Sequence, residues 1–263
     1  MRKSRIKRAF SVLELIVAST VMSLLMIVLA QAMMQAQNSF RTVTVTSESA
    51  DELRRVSRNL RLELMQTSAS QIGTGNSCSS LGCPDGQALW FLSNLDAAGK
   101  PQFLSDGSPF WQKNVLYYLV VPDDHPRVFG QTCTGGVGPG GYEDRCPHKV
   151  LVRKEIDFGT ATNLADDATV EGLMAVGSLT PYLQRPLGYQ VGTAGQPGLL
   201  SAQIAGRNLL TFNLSSSMPN TITIDTRSVS IARARTKVAL GSVSLFTSPF
   251  TYQFSLTVVP TIP

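Results

Sequence analysis

Residues 10–70 read FSVLELIVASTVMSLLMIVLAQAMMQAQNSFRTVTVTSESADELRRVSRNLRLELMQTSAS, sixty-odd positions with neither glycine nor proline. The first glycine is Gly73 and the first proline Pro84, in a chain of 263 residues that has 21 Gly and 14 Pro. Without the two residues that break helices, this stretch predicts one continuous helix, roughly 90 Å long at 1.5 Å per residue. Its first part is apolar all round and of bilayer length, with a single charge at Glu14. Its later part places Leu53, Val56, Leu60 and Leu64 on one stripe, with Asp51 and Arg55 as an i,i+4 pair on the flank. Between them TVTVTS (42–47) alternates β-branched residues, which lowers helix propensity and leaves a strand as the alternative.

Working outward, five basic residues precede the apolar run: Arg2, Lys3, Arg5, Lys7 and Arg8. They account for the whole formal charge of +5; with them set aside, basic and acidic residues are equal in number. Overall basicity is therefore no argument for polyanion binding, and the leader's charge suits holding the N-terminus in the cytoplasm during insertion. Downstream of Ser70 the texture changes to Gly, Ser, Asn and Pro with short β-type runs at 88–92, 115–121, 149–158, 208–215, 220–234 and 250–259. Residues 221–231 alternate with period two, as half-buried antiparallel strands do. A short helix is expected at 163–176 and loops at 73–87 and 130–148. The fold class is α+β, a long N-terminal α-helix, transmembrane and then amphipathic, packed on a C-terminal antiparallel β-sheet domain.

Cys78, Cys83, Cys133 and Cys146 all follow the apolar segment, and an even count beyond a membrane span suggests disulfides. Local pairing, Cys78–Cys83 and Cys133–Cys146, is preferred among three connectivities. The second bridge closes a 14-residue loop, stabilising by about 3 kcal/mol on the loop-entropy account. A zinc site using His148 is the competing reading, but the spacings match no recognised finger.

The opening residues resemble a known family. A short basic leader, a small residue at Ala9, then FSVLE and an apolar run look like the class III signal of type IV prepilins and of type II secretion pseudopilins. The resemblance implies cleavage by a prepilin peptidase between Ala9 and Phe10, where the family normally has Gly before the cut, and N-methylation of Phe10. It implies domains of 1–9 (leader), 10–36 (transmembrane and filament-core helix), 37–72 (amphipathic helix) and 73–263 (periplasmic or extracellular β-rich domain), in a type IV pilin-like fold. It also implies that Glu14 serves as a subunit-registry carboxylate, linked to the terminal amine of a neighbouring subunit. The physics agrees: a charge at a helix centre in hydrocarbon costs about 2.5–3.5 kcal/mol, less near an end, and pairing with an amine freed one turn away offsets it. In a low dielectric such a pair penalises any other register, as a buried polar residue does in a coiled coil.

Size, the absence of Gly and Pro in the helix, and long cysteine-bearing loops are similar to PilW-type minor pilins. That resemblance implies a minor pilin priming type IV pilus assembly at the bacterial inner membrane, then carried to the extracellular pilus tip. The implied partners are other minor pilins, the major pilin, the prepilin peptidase, the inner-membrane assembly machinery and the lipid bilayer. The alternatives are a GspJ-like pseudopilin of type II secretion, or a tip adhesin or DNA-uptake pilin with a surface or DNA ligand.

Other motifs carry less. CTGGVGPGGYEDRC (133–146) lacks the Lys-Ser/Thr of a phosphate loop and reads as a pinned loop. PDDHP (122–126) could hold a metal through Asp123, Asp124 and His125, although a polar turn is the commoner meaning. Arg227, Arg233, Arg235 and Lys237 alternate along one face, fitting DNA, an acidic neighbour or simply a guarded strand edge. With two histidines no catalytic set can be argued, so neither an enzyme nor a cofactor or metal site is expected.

Overall fold

The computed structural model describes residues 11–75, 87–124, 127, 149–217, 221–229 and 251–260. Two compact units divide at residue 45, Met1–Val45 and Thr46–Pro263. One helix, α1 (Val12–Leu64), runs through residues 42–47, so the β-branched alternation there does not break it. It stops at Leu64, short of the expected 72. Gln66 donates to Glu63 O at 3.1 Å and Thr67 to Leu64 O at 3.4 Å, the i→i+3 tightening of a fraying end. A 3₁₀ turn (Ala69–Gln71) then leads into the sheet.

That sheet has seven antiparallel strands in sequence order: β1 (Ile72–Gly75), β2 (Ala88–Ser93), β3 (Lys113–Val120), β4 (Lys149–Ile156), β5 (Leu199–Ser217), β6 (Thr221–Val229) and β7 (Thr251–Val258). Five expected runs match strands closely. β5 starts well before its expected 208, because its first half, LLSAQIAGR, carries Ala, Gln and Gly, which sequence propensity does not favour in strands. β1 was expected to be loop, since two of its four residues are glycine. Gly73 is required there by close approach: a Cβ would lie 2.1 Å from the Trp90 ring.

Both faces of β2 and β3 are covered, and every residue of these strands is buried. On one face Leu89, Phe91, Val115, Tyr117 and Leu151 meet the stripe Leu53, Val56, Leu60 and Leu64 of α1, all four of which are buried as expected. On the other, Trp90, Leu116, Tyr118, Val150 and Val152 meet Met174, Leu179, Tyr182 and Leu183, the last three in or next to a 3₁₀ helix (Val176–Tyr182). Residues 163–176 do not form the expected helix. Asn163 Oδ1 accepts from Ala165 N at 3.1 Å and Asp166 Oδ1 from Ala168 N at 3.0 Å. These side chains close turns on the backbone and outcompete a helix that Gly172 already weakens.

The flank pair also differs from expectation. Asp51 pairs with Arg54 at 3.2 Å, while Arg55 pairs with Glu52 at 2.7 Å and reaches Ala205 O of β5 at 3.4 Å. Arg55 turns toward the sheet, where a carbonyl awaits it, and Glu52 anchors the same edge by accepting from Arg207 N at 2.8 Å. Between these contacts α1 comes down on Gly206, where a Cβ would stand 2.6 Å from Val56 Cγ2. Val56 is β-branched and held in one rotamer by the helix, so it cannot step aside. Gly206→Ala is expected to cost about 1–3 kcal/mol by overpacking, and Val56→Ala in the same chain to restore part of it. A thermal-melting double-mutant cycle reads the coupling.

Candidate functional site

From Val12 to Phe40 α1 is long and apolar enough to cross a membrane, and none of the residues in the apolar window that qualifies it is buried within the protein. Three of its hydroxyl side chains are turned inward on their own backbone. Ser19 Oγ donates to Ile16 O at 2.9 Å, Thr20 Oγ1 to Val17 O at 2.8 Å and Ser23 Oγ to Ser19 O at 2.8 Å. Hydroxyls satisfied in this way can enter hydrocarbon without an orphaned donor.

Glu14, the one charge in this stretch, sits in the first turn of α1. Its Oε2 accepts from Ser11 N at 3.0 Å, and Ser11 Oγ accepts in turn from Glu14 N at 3.2 Å. This is a capping box: two amides that a helix start leaves without partners are satisfied reciprocally, and the carboxylate lies at the positive end of the helix dipole. The Ser-x-x-Glu spacing at 11–14 is a sequence signal for it, and sequence reasoning about Glu14 passed over that signal in favour of a partner in another molecule. Ala9 and Phe10, the expected cleavage pair, lie outside the described residues, as do Cys78, Cys83, Cys133, Cys146, His125 and His148.

The residues of PDDHP that are described form a turn. Asp124 Oδ2 pairs with Arg127 at 2.6 Å and its Oδ1 accepts from Gly188 N; these bonds outweigh burial and lower the Asp124 carboxyl below its ordinary value. Asp123 N donates to Pro186 O at 3.0 Å. Among the described residues no three His, Cys, Asp or Glu side chains gather as a metal would need. Of the basic face, Arg227 is half-buried in β6 between Thr211 and Gln253; Arg233, Arg235 and Lys237 lie outside the described residues.

Within the sheet unit, sequence reading missed two buried polar groups. On the α1 face, Glu63 accepts from Tyr117 Oη at 2.9 Å and pairs with Arg153 at 2.9 Å. Arg153 bridges on to Glu155 at 2.7 Å, which also meets Lys113 at 3.2 Å. Burial alone would lower Arg153, but Glu63 and Glu155 hold it above its ordinary value. Burial would raise Glu155, and Arg153 and Lys113 reverse that. Tyr117 is pushed well up, by burial first and then by Glu63.

On the opposite face Lys154 is fully buried. Its Nζ donates to Tyr182 O and Gln196 Oε1, both at 2.6 Å, and lies 5.6 Å from the centre of the Tyr118 ring. No carboxylate pairs with it among the described residues, and desolvation lowers it to about 8. These groups hold the layers together.

Comparison with known proteins finds no matching family model, no matching curated protein and no matching solved structure.

The Lys154 shift has a measurable consequence. Between about pH 8 and the 10.5 of an unburied lysine, the unfolded chain holds a proton that the folded chain has released. Stability therefore rises with pH through this window. Tyr117 works the other way, but only above the 10.0 of a free tyrosine. From pH 8 to about 9.5 the melting temperature is expected to climb, by the equivalent of up to roughly 2 kcal/mol. Lys154→Met is expected to flatten that slope, and an unchanged slope would assign it to other groups.

Proposed function

We propose that this chain is a minor pilin of a type IV pilus, anchored by α1 in the bacterial inner membrane before assembly and located at or near the pilus tip afterwards. The observation that carries the reading is α1 itself. One unbroken helix begins with an exposed apolar stretch whose lone charge is Glu14, and ends with a stripe docked on a seven-stranded antiparallel sheet of the same chain. That order of elements is the one a type IV pilin-like fold requires. The basic leader, Ala9 and Phe10 add the sequence support, and the pilin-like reading of the fold belongs to this proposal.

In this reading the prepilin peptidase cuts before Phe10, and Glu14 pairs with the freed, methylated amine of a neighbouring subunit. The exposed apolar surface of Val12–Phe40 is exchanged from lipid to the helices of other minor pilins and the major pilin, without passing through water. The cost of carrying a carboxylate is then recovered only in the register that brings an amine to it. Its role is structural, in priming assembly.

Deletion of the gene is expected to abolish or sharply reduce pili. Loss of protein secretion with normal pili would move the protein to a type II secretion apparatus, and pili that persist without adhesion or DNA uptake would make it a tip receptor. Glu14→Ala is expected to insert and be cleaved normally yet fail to enter filaments; incorporation at the wild-type level would refute the registry role. Mass mapping of the exported protein without reductant is expected to show Cys78–Cys83 and Cys133–Cys146, and free thiols would overturn that pairing.

A further inference from the structure

The second face of the sheet is covered by chain that is not part of the sheet. Residues 171–197 supply no strand to it, and their one regular element is the 3₁₀ helix. Met174, Leu179, Tyr182 and Leu183 of this strap rest on Trp90, Leu116, Tyr118, Val150 and Val152, while most of its other residues are exposed or half-buried. Four fastenings are side chains of the sheet that donate to strap carbonyls. Trp90 Nε1 reaches Met174 O at 2.9 Å and Asn114 Nδ2 reaches Gly172 O at 2.9 Å. Tyr118 Oη reaches Gln184 O at 2.7 Å and Lys154 Nζ reaches Tyr182 O at 2.6 Å. Backbone bonds run from Glu171 N to Trp111 O and from Asp123 N to Pro186 O, and they form no ladder. The core under α1 is a separate cluster of side chains. A cover with few apolar anchors and no ladder belongs to the low-stability end of a fold, where a segment opens without the rest.

Opening has a consequence for charge. The ionisable groups that face Lys154 are Tyr118 of β3 and Tyr182 of the strap; β5 sets Ala202 opposite it, and Arg153 and Glu155 on β4 belong to the α1 face. Among the described residues no carboxylate pairs with it, so its two acceptors on the strap, Tyr182 O and Gln196 Oε1, are all that replaces water. Closed, desolvation holds the amine at about 8; lifting the strap returns it to water and to an ordinary 10.5. Each opening therefore takes up a proton, and alkali favours the closed form. The start of the strap behaves in the opposite sense. Glu171 is buried, accepts from Phe158 N, Gly159 N and Asn114 Nδ2, and has Asp157 and Tyr182 as ionisable neighbours. Burial and then Asp157 raise it from an ordinary 4.5, so acid fastens that end.

We propose that residues 171–197 lift off the sheet as one unit while the α1 face stays closed, and that Lys154 is the latch that makes this opening depend on pH. The strap is a conformational device: near neutrality it covers a buried lysine that water would charge more readily, and alkali tightens it. Opening bares the Trp90, Leu116, Tyr118, Val150 and Val152 surface and leaves the contacts of Leu53, Val56, Leu60 and Leu64 with the sheet in place. The inference is independent of the filament reading; it needs neither Glu14 nor cleavage.

The test is amide hydrogen exchange, read by mass spectrometry on the full-length chain in detergent, with each rate divided by that of the unfolded chain at the same pH. The hydrogen-bonded strap amides of Met174, Ser178 and Leu183 are expected to exchange together, at least about tenfold faster than those of β3 and β4. Between about pH 7 and pH 9 their opening is expected to fall by about tenfold, as a shift between about 8 and 10.5 requires. Lys154→Met keeps the apolar stem and is expected to abolish that fall while the strap still opens ahead of the sheet; Lys154→Leu serves if the methionine variant melts early. Strap amides protected as well as those of β3 and β4 would overturn the separate opening. A pH dependence that survives in both lysine variants would overturn the latch.

Discussion

The end of α1 is fixed to the sheet by one carboxylate. Glu63, between the last two leucines of the apolar stripe, meets Tyr117 from β3 and Arg153 from β4. Leu60 and Leu64, on either side of it, are buried among Leu89, Phe91 and Val115. Burying those leucines supplies most of the adhesion, about 1.5–3 kcal/mol each. Apolar contact is non-directional, however, and would tolerate the helix sliding or turning on the sheet. The ion pair does not. An Arg153 left without Glu63 would be a buried, partly unpaired charge, which typically costs 3–5 kcal/mol. Rotation of α1 by a turn is therefore penalised at this point, and Gly206 at the other end of the contact admits Val56 only in the register observed.

How the sheet is covered decides how much of it could be read from sequence. β6 packs its Ile222 and Ile224 face into the core and leaves Thr221, Thr223 and Asp225 half-buried, so its residues alternate and the strand is visible. β2 and β3 are buried on both faces and appear as continuous apolar runs, also visible, but without any sign of which side faces the helix. The stripe of α1 was legible because four residues at helical spacing stand among arginines and polar residues. What failed was local competition. The side chains of Asn163 and Asp166 cap their own turns, and no periodicity count registers that. Gly73 stands in β1 because Trp90 occupies the space a side chain would need, a reason lying in another strand.

The buried lysines were illegible for the same reason. Lys149 and Lys154 sit in KVLVRKEIDF, a run read only as a strand, and both are fully buried, with Lys154 ending on a carbonyl and an amide oxygen. Lys154 is removed from water by residues later in the chain, Tyr182 and Gln196 among them, and Lys149 donates to Leu210 O of β5 at 2.9 Å. A strand sequence records its own alternation but not what a later stretch of chain will place on top of it.

Glu14 shows the limit in the other direction, where sequence reading looked for a partner in another molecule and missed one in its own first turn. A carboxylate near the start of a helix apolar enough to cross a membrane raises the question of its partner, and the capping box gives a partner inside the same molecule. The two roles are compatible, because an ionised carboxylate has two oxygens and about four acceptor sites; Ser11 N takes a site on Oε2. The box changes the energetics of the proposed pairing. On the pilus reading proposed above, a monomer in the bilayer would not carry a bare charge, since its own first-turn amide and helix dipole stabilise the anion. The drive toward assembly is then only the difference between a capped carboxylate alone and a capped carboxylate beside an amine. On that reading the smaller difference would suit a subunit held in the membrane before assembly, because a fully uncompensated charge would resist insertion.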